Sequence, residues 1–174
     1  MSTPDPLIAL LNAALEGDNR ALGEFVRQTQ PIVWRLCTAL GSPGDEEDLV
    51  QETYLRATKA IGSYRGDAPV RSWLLSIARN VCADHVRQNQ RQCRILDRVV
   101  RTTVEDHEPS HDGLHDLVRA LPTDRREAFL LTQVLGLSYD EAAETIGCPI
   151  GTIRSRVARA RADLMDALRQ AEAR

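Results

Sequence analysis

Aromatic residues make up only 4% of this 174-residue chain, and lysine is nearly missing: Lys59 stands alone against twenty-one arginines. The ten glycines and eight prolines fall mostly between periodic segments, so the fold expected is all-α. No apolar run approaches the roughly 20 residues needed to span a bilayer. The amino terminus lacks a basic stretch followed by an apolar core, which argues against a secretory leader and for a cytoplasmic protein. Cys37, Cys82, Cys93 and Cys148 show no Cys-x-x-Cys pairing, so they are expected to be reduced, small buried hydrophobes and not a zinc or disulfide framework. Missing too are paired carboxylates beside a nucleophile, a glycine-rich phosphate loop and an HExxH motif. An enzyme acting on nucleic acid is therefore disfavoured, and no cofactor, metal or small-molecule substrate is expected.

What is present is charge arranged in zones. Residues 1–50 carry three basic against eight acidic side chains, 51–95 eight against three, 96–124 three against seven, and 125–174 eight against seven. The net charge of −3 alone would not suggest a nucleic-acid partner. Two positive zones separated by negative ones fit a chain that meets DNA twice and a basic protein surface elsewhere.

The stretch from Leu137 to Leu164 carries the sharpest signal. Ser138 with Glu141 three residues later is a capping-box signature for a helix that Gly147 closes, and Pro149 suits the first turn of a second helix. The pair reads as a helix-turn-helix. At roughly 100° per residue, Ile153, Val157, Ala160 and Leu164 form the packing stripe of the second helix. Ser155, Ala158 and Arg159 then lie opposite, Arg154 and Arg161 on one flank and Arg156 on the other. Four arginines and no acid fall between Gly151 and Ala162. Such a helix fits the major groove, where arginine forks pair with guanine edges or phosphates. A solvated arginine face on a packing helix is the plainer alternative.

Upstream, residues 5–16 and 18–40 read as two amphipathic helices, the second capped by Asp18 and kinked by Pro31. A turn at Gly41–Gly44 precedes a helix from about Asp45 to Ile61. Its acidic start suits a helix dipole, and could equally meet a partner. Asp48, Gln51, Glu52 and Arg56 remain on its outside. After the loop GSYRGDAP, a basic helix turns Val70, Leu74, Ile77 and Val81 inward and Ser72, Ser76, Arg79, Ala83 and Arg87 outward. Tyr64, Arg65 and Trp73 beside this helix suit single-stranded DNA, with bases stacking on rings and arginines tracking phosphates. Trp73 could as well be core, which makes Tyr64 the better exposed candidate. Residues 96–113 read as an acidic linker. Within and beside it His107, His111 and His115 are spaced four apart, but Pro109 and Gly113 argue against the continuous helix a metal site would need. Leu114 to Leu121 resumes a helix, Pro122 ends it, and Thr123 or Asp124 is expected to cap the next.

DEEDLVQETYLRA at 45–57, SWLLSIARNVCADHVR at 72–87 and LSYDEAAETIGCPIGTIRSRVARAR at 137–161 together resemble the bacterial extracytoplasmic-function (ECF) sigma factors, in order and spacing. The likeness implies an all-α chain of two small domains: a four-helix region 2 domain over 1–95, the linker 96–113, and a region 4 helix-turn-helix domain over 114–174. It implies a promoter-specificity subunit of RNA polymerase with no chemistry of its own, as against a free-standing dimeric repressor. By the same resemblance Asp48, Gln51, Glu52 and Arg56 meet a coiled coil of the large polymerase subunit. Tyr64, Arg65, Asp67, Ser72, Trp73, Arg79, Asn80 and Arg87 meet the melted minus-10 element, where a base is flipped out. Arg154, Ser155 and Arg159 read minus-35 bases, with Thr152, Arg156 and Arg161 on the backbone. An anti-sigma partner is a further expectation, since many family members are held inactive by one.

Overall fold

The computed structural model describes residues 5–97 and 113–172, with side chains described except at 92–97, 113–115 and 172. Of the linker expected over 96–113, residues 98–112 fall outside these, with His107 and His111 of the histidine row, while 96–97 continue α4 and 113 opens α5; the side chains of Cys93 and His115 also fall outside. Within them the elements are α1 (Pro6–Leu15), α2 (Asn19–Leu40), α3 (Glu46–Ala60), a 3-10 turn (Ile61–Ser63), α4 (Val70–Asp97), α5 (Gly113–Ala120), α6 (Thr123–Phe129), a π turn (Leu130–Val134), α7 (Tyr139–Ile146) and α8 (Ile150–Glu172). No strand occurs among the described residues, as the periodicity and low aromatic content predict.

Local chemistry starts the early helices. The Asp5 carboxylate accepts the Leu7 amide, and the Asp18 carboxylate accepts those of Arg20 and Ala21, satisfying donors that a first helical turn leaves orphaned. Pro31, expected to kink α2, lies on its exposed side within one uninterrupted helix. Leu11 of α1, Phe25, Val33 and Leu36 of α2, Leu49 and Val50 of α3, and Leu74 and Leu75 of α4 pack into a bundle whose members are nearly or fully excluded from solvent. Of the inward stripe expected on α4, Val70, Leu74 and Val81 are buried and Ile77 is half-buried. Helices α5 to α8 close a second bundle around Leu131, Ala142, Ile153, Val157 and Ala160. The two bundles share one contiguous apolar cluster, because α7 packs on α4 and α5 on α2.

That contact corrects the reading of α4. Ser72, expected to face outward, is buried with its hydroxyl unpartnered, while Ser76, Arg79 and Ala83 are half-buried. An amphipathic stripe reports the side of a helix covered by its own bundle. Here α2 and α3 cover one side of α4 and α7 part of the other, so the buried arc is wider than the stripe. The expected caps Thr123 and Asp124 also give way: Pro122 holds the cap position of α6 with no side-chain bond, its carbonyl taking the Arg125 and Arg126 amides.

Between α2 and α3 the Thr29 hydroxyl donates to the Phe25 carbonyl at 2.7 Å, which leaves its oxygen to accept from the Tyr54 phenol at 2.8 Å. Burial pushes the Tyr54 phenol up to about 12. An unfolded tyrosine ionises near 10. The unfolded chain therefore sheds this proton first, so stability holds below about pH 10 and is lost as pH climbs through the folded value. We predict that Tyr54→Phe costs about 1 kcal/mol at neutral pH and reduces the alkaline fall in stability. Urea melts between pH 8 and 11.5 measure both, and an unchanged alkaline slope would count against the assignment.

Candidate nucleic-acid interface

The helix-turn-helix is built by reciprocal bonds. The Glu141 amide donates to the Ser138 hydroxyl at 3.2 Å, and the Ser138 amide donates to the Glu141 carboxylate at 2.7 Å. Gly147 ends α7 at φ 75°, ψ 43°, a left-handed conformation that costs glycine little, and its amide returns to the Ala143 carbonyl at 2.8 Å. The Cys148 amide reaches the same carbonyl, and Pro149 then leads into α8. With Ile153, Val157, Ala160 and Leu164 all buried, the rotation of α8 about its axis is set by packing.

Arg154, Ser155, Arg159 and Arg161 consequently stand exposed. Among the described residues no carboxylate pairs with Arg154 or Arg159. Arg161 donates to the Gln133 side chain at 2.5 Å. Arg156 differs from the others: its Nε lies 3.3 Å from an Asp124 carboxylate oxygen and its Nη1 3.9 Å from the Cys148 sulfur, which pins it across to α6 and the turn. Thr152 is half-buried, and its carbonyl accepts the Ser155 hydroxyl at 2.9 Å.

A second cluster forms where the loop before α4 meets α7. A cavity of about 400 Å³ is lined by Tyr64, Arg65, Asp67, Ser72 and Trp73, with Glu144 and Thr145 of α7 on the far side. Tyr64 is half-buried, not the freely exposed ring expected. Its ring leans on Trp73 at 5.3 Å and 53°, and its hydroxyl donates to the Ala68 carbonyl at 2.5 Å. Burial raises this phenol above the ordinary tyrosine range, with the nearby Asp5 and Asp67 charges adding to the effect. Arg65 and Asp67 are exposed at the rim.

Farther along α4 the candidates separate. Asn80 and Arg87 are exposed, the latter bonded to the Asp84 carboxylate at 2.6 Å. Arg79 is engaged from the other bundle: its Nε donates to Glu127 at 2.9 Å, and Glu127 is only 7% exposed. Arg71, which the sequence did not single out, donates to the Leu135 carbonyl, presented just past the π turn. Neither Glu127 nor Leu135 could be paired with these arginines from sequence, since 48 and 64 residues separate them.

On α3, Asp48 and Gln51 are exposed and Glu52 and Arg56 half-buried. Arg56 is held at both ends, to Glu52 at 2.7 Å and Asp84 at 2.8 Å, and these two carboxylates raise its pKa. It therefore positions Glu52 more than it offers a free charge. Beside them Leu55 is 55% exposed, next to a groove of about 400 Å³ between α2 and α3 lined also by Val26, Gln51 and Tyr54. The sequence signal for Leu55 was a leucine lying off its helix's buried stripe.

Among the described residues no group of three or more histidine, cysteine or acidic side chains is placed to hold a metal, and no helix is long and apolar enough to cross a membrane. Cys37 and Cys82 are buried against each other as free thiols; their mutual hydrogen bond pulls the Cys37 thiol down and pushes the Cys82 thiol up.

Comparison with known proteins matches residues 25–92 to Sigma-70 region 2 and residues 111–164 to Sigma-70 region 4. The chain is 45% identical to the ECF RNA polymerase sigma factor SigC of Mycobacterium tuberculosis over 94% of its own length and 92% of that protein's. It is 32% identical to the ECF RNA polymerase sigma-E factor of Haemophilus influenzae, over 88% and 90%. Two solved structures share its fold at a TM-score of 0.73. CnrH, in complex with the cytosolic domain of CnrY, is 29% identical over 93% of this chain and 96% of that one. RpoE of Bartonella quintana, in complex with the anti-sigma factor NepR, is 32% identical over 85% and 96%.

Proposed function

From the premise that this chain belongs to the ECF group of sigma-70 RNA polymerase sigma factors, we propose how its residues divide the work of promoter-specific initiation. Sigma factors are initiation factors, not enzymes, and this one directs core RNA polymerase to promoters. In our reading it works in the cytoplasm, where the polymerase is. Asp48, Gln51 and Glu52 meet the polymerase coiled coil, with Arg56 holding Glu52 in place and Leu55 adding apolar contact. Arg154, Ser155 and Arg159 read minus-35 base edges; Thr152 and Arg161 touch the backbone, and Arg156 reaches it only if its bond to Asp124 yields. The base flipped from the minus-10 element enters the cavity beside Tyr64 and Trp73, with Arg65 and Asp67 at its rim and Ser72 at its wall. Asn80 and Arg87 follow the adjoining strand. An anti-sigma partner belongs to the same reading, given that RpoE was solved with NepR.

The observation that carries this reading is the exposed face of α8 bearing Arg154 and Arg159, neither paired with a carboxylate among the described residues, held outward by a buried stripe on its opposite side. Co-purification of the full chain with core polymerase, followed by run-off transcription, tests it. A chain that fails to bind the enzyme, or that binds without raising initiation on any template, defeats it.

Arg79 qualifies the picture, because in this arrangement its fork is occupied by Glu127. For Arg79 to meet a phosphate the two bundles must part there. Glu127→Gln keeps the shape and removes the charge, so it should strengthen binding of the isolated protein to a single-stranded minus-10 oligonucleotide several-fold. Unchanged affinity in a fluorescence-anisotropy titration would show that this pair does not restrain Arg79.

A further inference from the structure

We propose that the seam between the two helical bundles is a binding site for a small phosphate-bearing anion of about pyrophosphate size, held by Arg79, Arg87 and Arg126. A cavity of about 270 Å³ opens there, with Arg79, Arg87 and Gln90 of α4 on one wall and Thr123, Arg126 and Glu127 of α6 on the other. Three guanidiniums thus face one carboxylate, and Arg79 already takes that carboxylate at 2.9 Å. Arg87 is paired with Asp84, which does not line the cavity.

Arg126 is the unbalanced member. Its Nη2 donates to the Leu121 carbonyl at 2.8 Å, but its Nε is buried without an acceptor, and no carboxylate pairs with it among the described residues. Burial first and the charge of Arg119 second act against its protonated form, with the charge of Glu127 a smaller opposing influence. A donor left this way is costly, since the Nε has given up water without gaining an acceptor, and the one carboxylate on the cavity wall, Glu127, is already bonded to Arg79. An anion in the cavity would supply the missing acceptor to Nε and take the free N–H groups of Arg79 and Arg87. A planar carboxylate offers two oxygens in one plane. A phosphoryl group directs three in a tripod, which suits donors arriving from two walls and gives each a charge-assisted bond. The volume admits one or two phosphoryl groups, and the apolar floor formed by Leu40, Ala83 and Val86 offers no competing acceptor side chain.

Because both α4 and α6 contribute, occupancy would tie the two bundles together at Arg79 and Arg87, two side chains assigned above to promoter DNA. The site itself is argued independently of that assignment, and its test uses the chain alone, so failure to bind polymerase would leave it untouched. The same chemistry could come from a DNA backbone, and two arms of the experiment separate the sources.

Sodium pyrophosphate is titrated into the full-length protein at constant ionic strength and read by isothermal calorimetry and by the melting temperature. In parallel a single-stranded minus-10 oligonucleotide is titrated by anisotropy. Saturable pyrophosphate binding that raises the melting temperature is expected. Arg126→Gln, which removes the charge, and Ala83→Leu, which fills the floor and leaves every guanidinium, should each weaken it by about tenfold or more, while Ala83→Leu leaves oligonucleotide binding unchanged. Should one variant fail to fold, the other still decides the matter. Absence of binding, or full retention in both variants, overturns the proposal. Parallel loss of pyrophosphate and oligonucleotide binding in both variants assigns the arginines to the DNA backbone and overturns it equally.

Discussion

Asp48→Arg should abolish co-purification of this sigma factor with core RNA polymerase while leaving its melting curve close to that of the parent. The carboxylate is exposed in the first turn of α3, where it interacts favourably with the helix dipole and forms no ion pair with the described residues. Removing it from that position costs the fold only about 0.3–1 kcal/mol. At the proposed interface the change is larger, because the acidic start of α3 is matched to a basic partner surface. Reversing one charge there replaces attraction by repulsion worth several kcal/mol, or more than a hundredfold in affinity. Asp166→Arg on α8, equally exposed and outside the proposed contact, is the control and should bind as the parent does. Retained binding by Asp48→Arg, in a pull-down quantified against that control, would move the contact elsewhere on the chain.

Arg159→Ala should cost about 1–3 kcal/mol of promoter binding and relax selection at one minus-35 position, with other positions discriminated as before. Arg159 stands exposed near the middle of the outward face of α8, opposite the buried stripe, and no described side chain pairs with it. Its fork is therefore free to take a base edge without first giving up a protein partner. Arg156→Ala should instead weaken all sequences by a similar factor. It should also lower the stability of the carboxy-terminal bundle slightly, since the pair with Asp124 is partly exposed and worth no more than about 1 kcal/mol. Electrophoretic mobility shifts with holoenzyme on a library of singly substituted minus-35 sites separate the two. Equal, sequence-blind losses for both variants would refute this division of labour.

The parts legible in sequence share a physical character: each depends on bonds or spacing within a few residues. The capping box at Ser138 and Glu141, the left-handed Gly147 and the stripe from Ile153 to Leu164 are all local, so the helix-turn-helix and the outward face of α8 could be read without coordinates. The same holds for the Asp18 cap and for the buried side of α3. Ser72 is buried although it lies off the apolar stripe of α4, because a stripe marks the side covered by one neighbour and α4 has neighbours on two sides. Tyr64 is half-buried for a related reason that spacing does not show: the loop folds its ring onto Trp73 and ties its hydroxyl to Ala68. The helical positions of Arg56 and Arg156 follow from spacing, whereas their engagement by Asp84 and Asp124 spans gaps of 28 and 32 residues that no local pattern encodes.

Sequence by itself determined the helices, the caps at Asp18 and Ser138, the packing stripe of α8 and the arginine face opposite it, because each arises from backbone chemistry and a 3.6-residue period. Only the tertiary structure decided which arginines are free and which are already held. Arg79 meets Glu127, Arg71 meets the Leu135 carbonyl and Arg126 is left short of an acceptor because the two bundles dock. Docking depends on the shapes of two surfaces assembled from distant parts of the chain, and no local rule of spacing encodes that match.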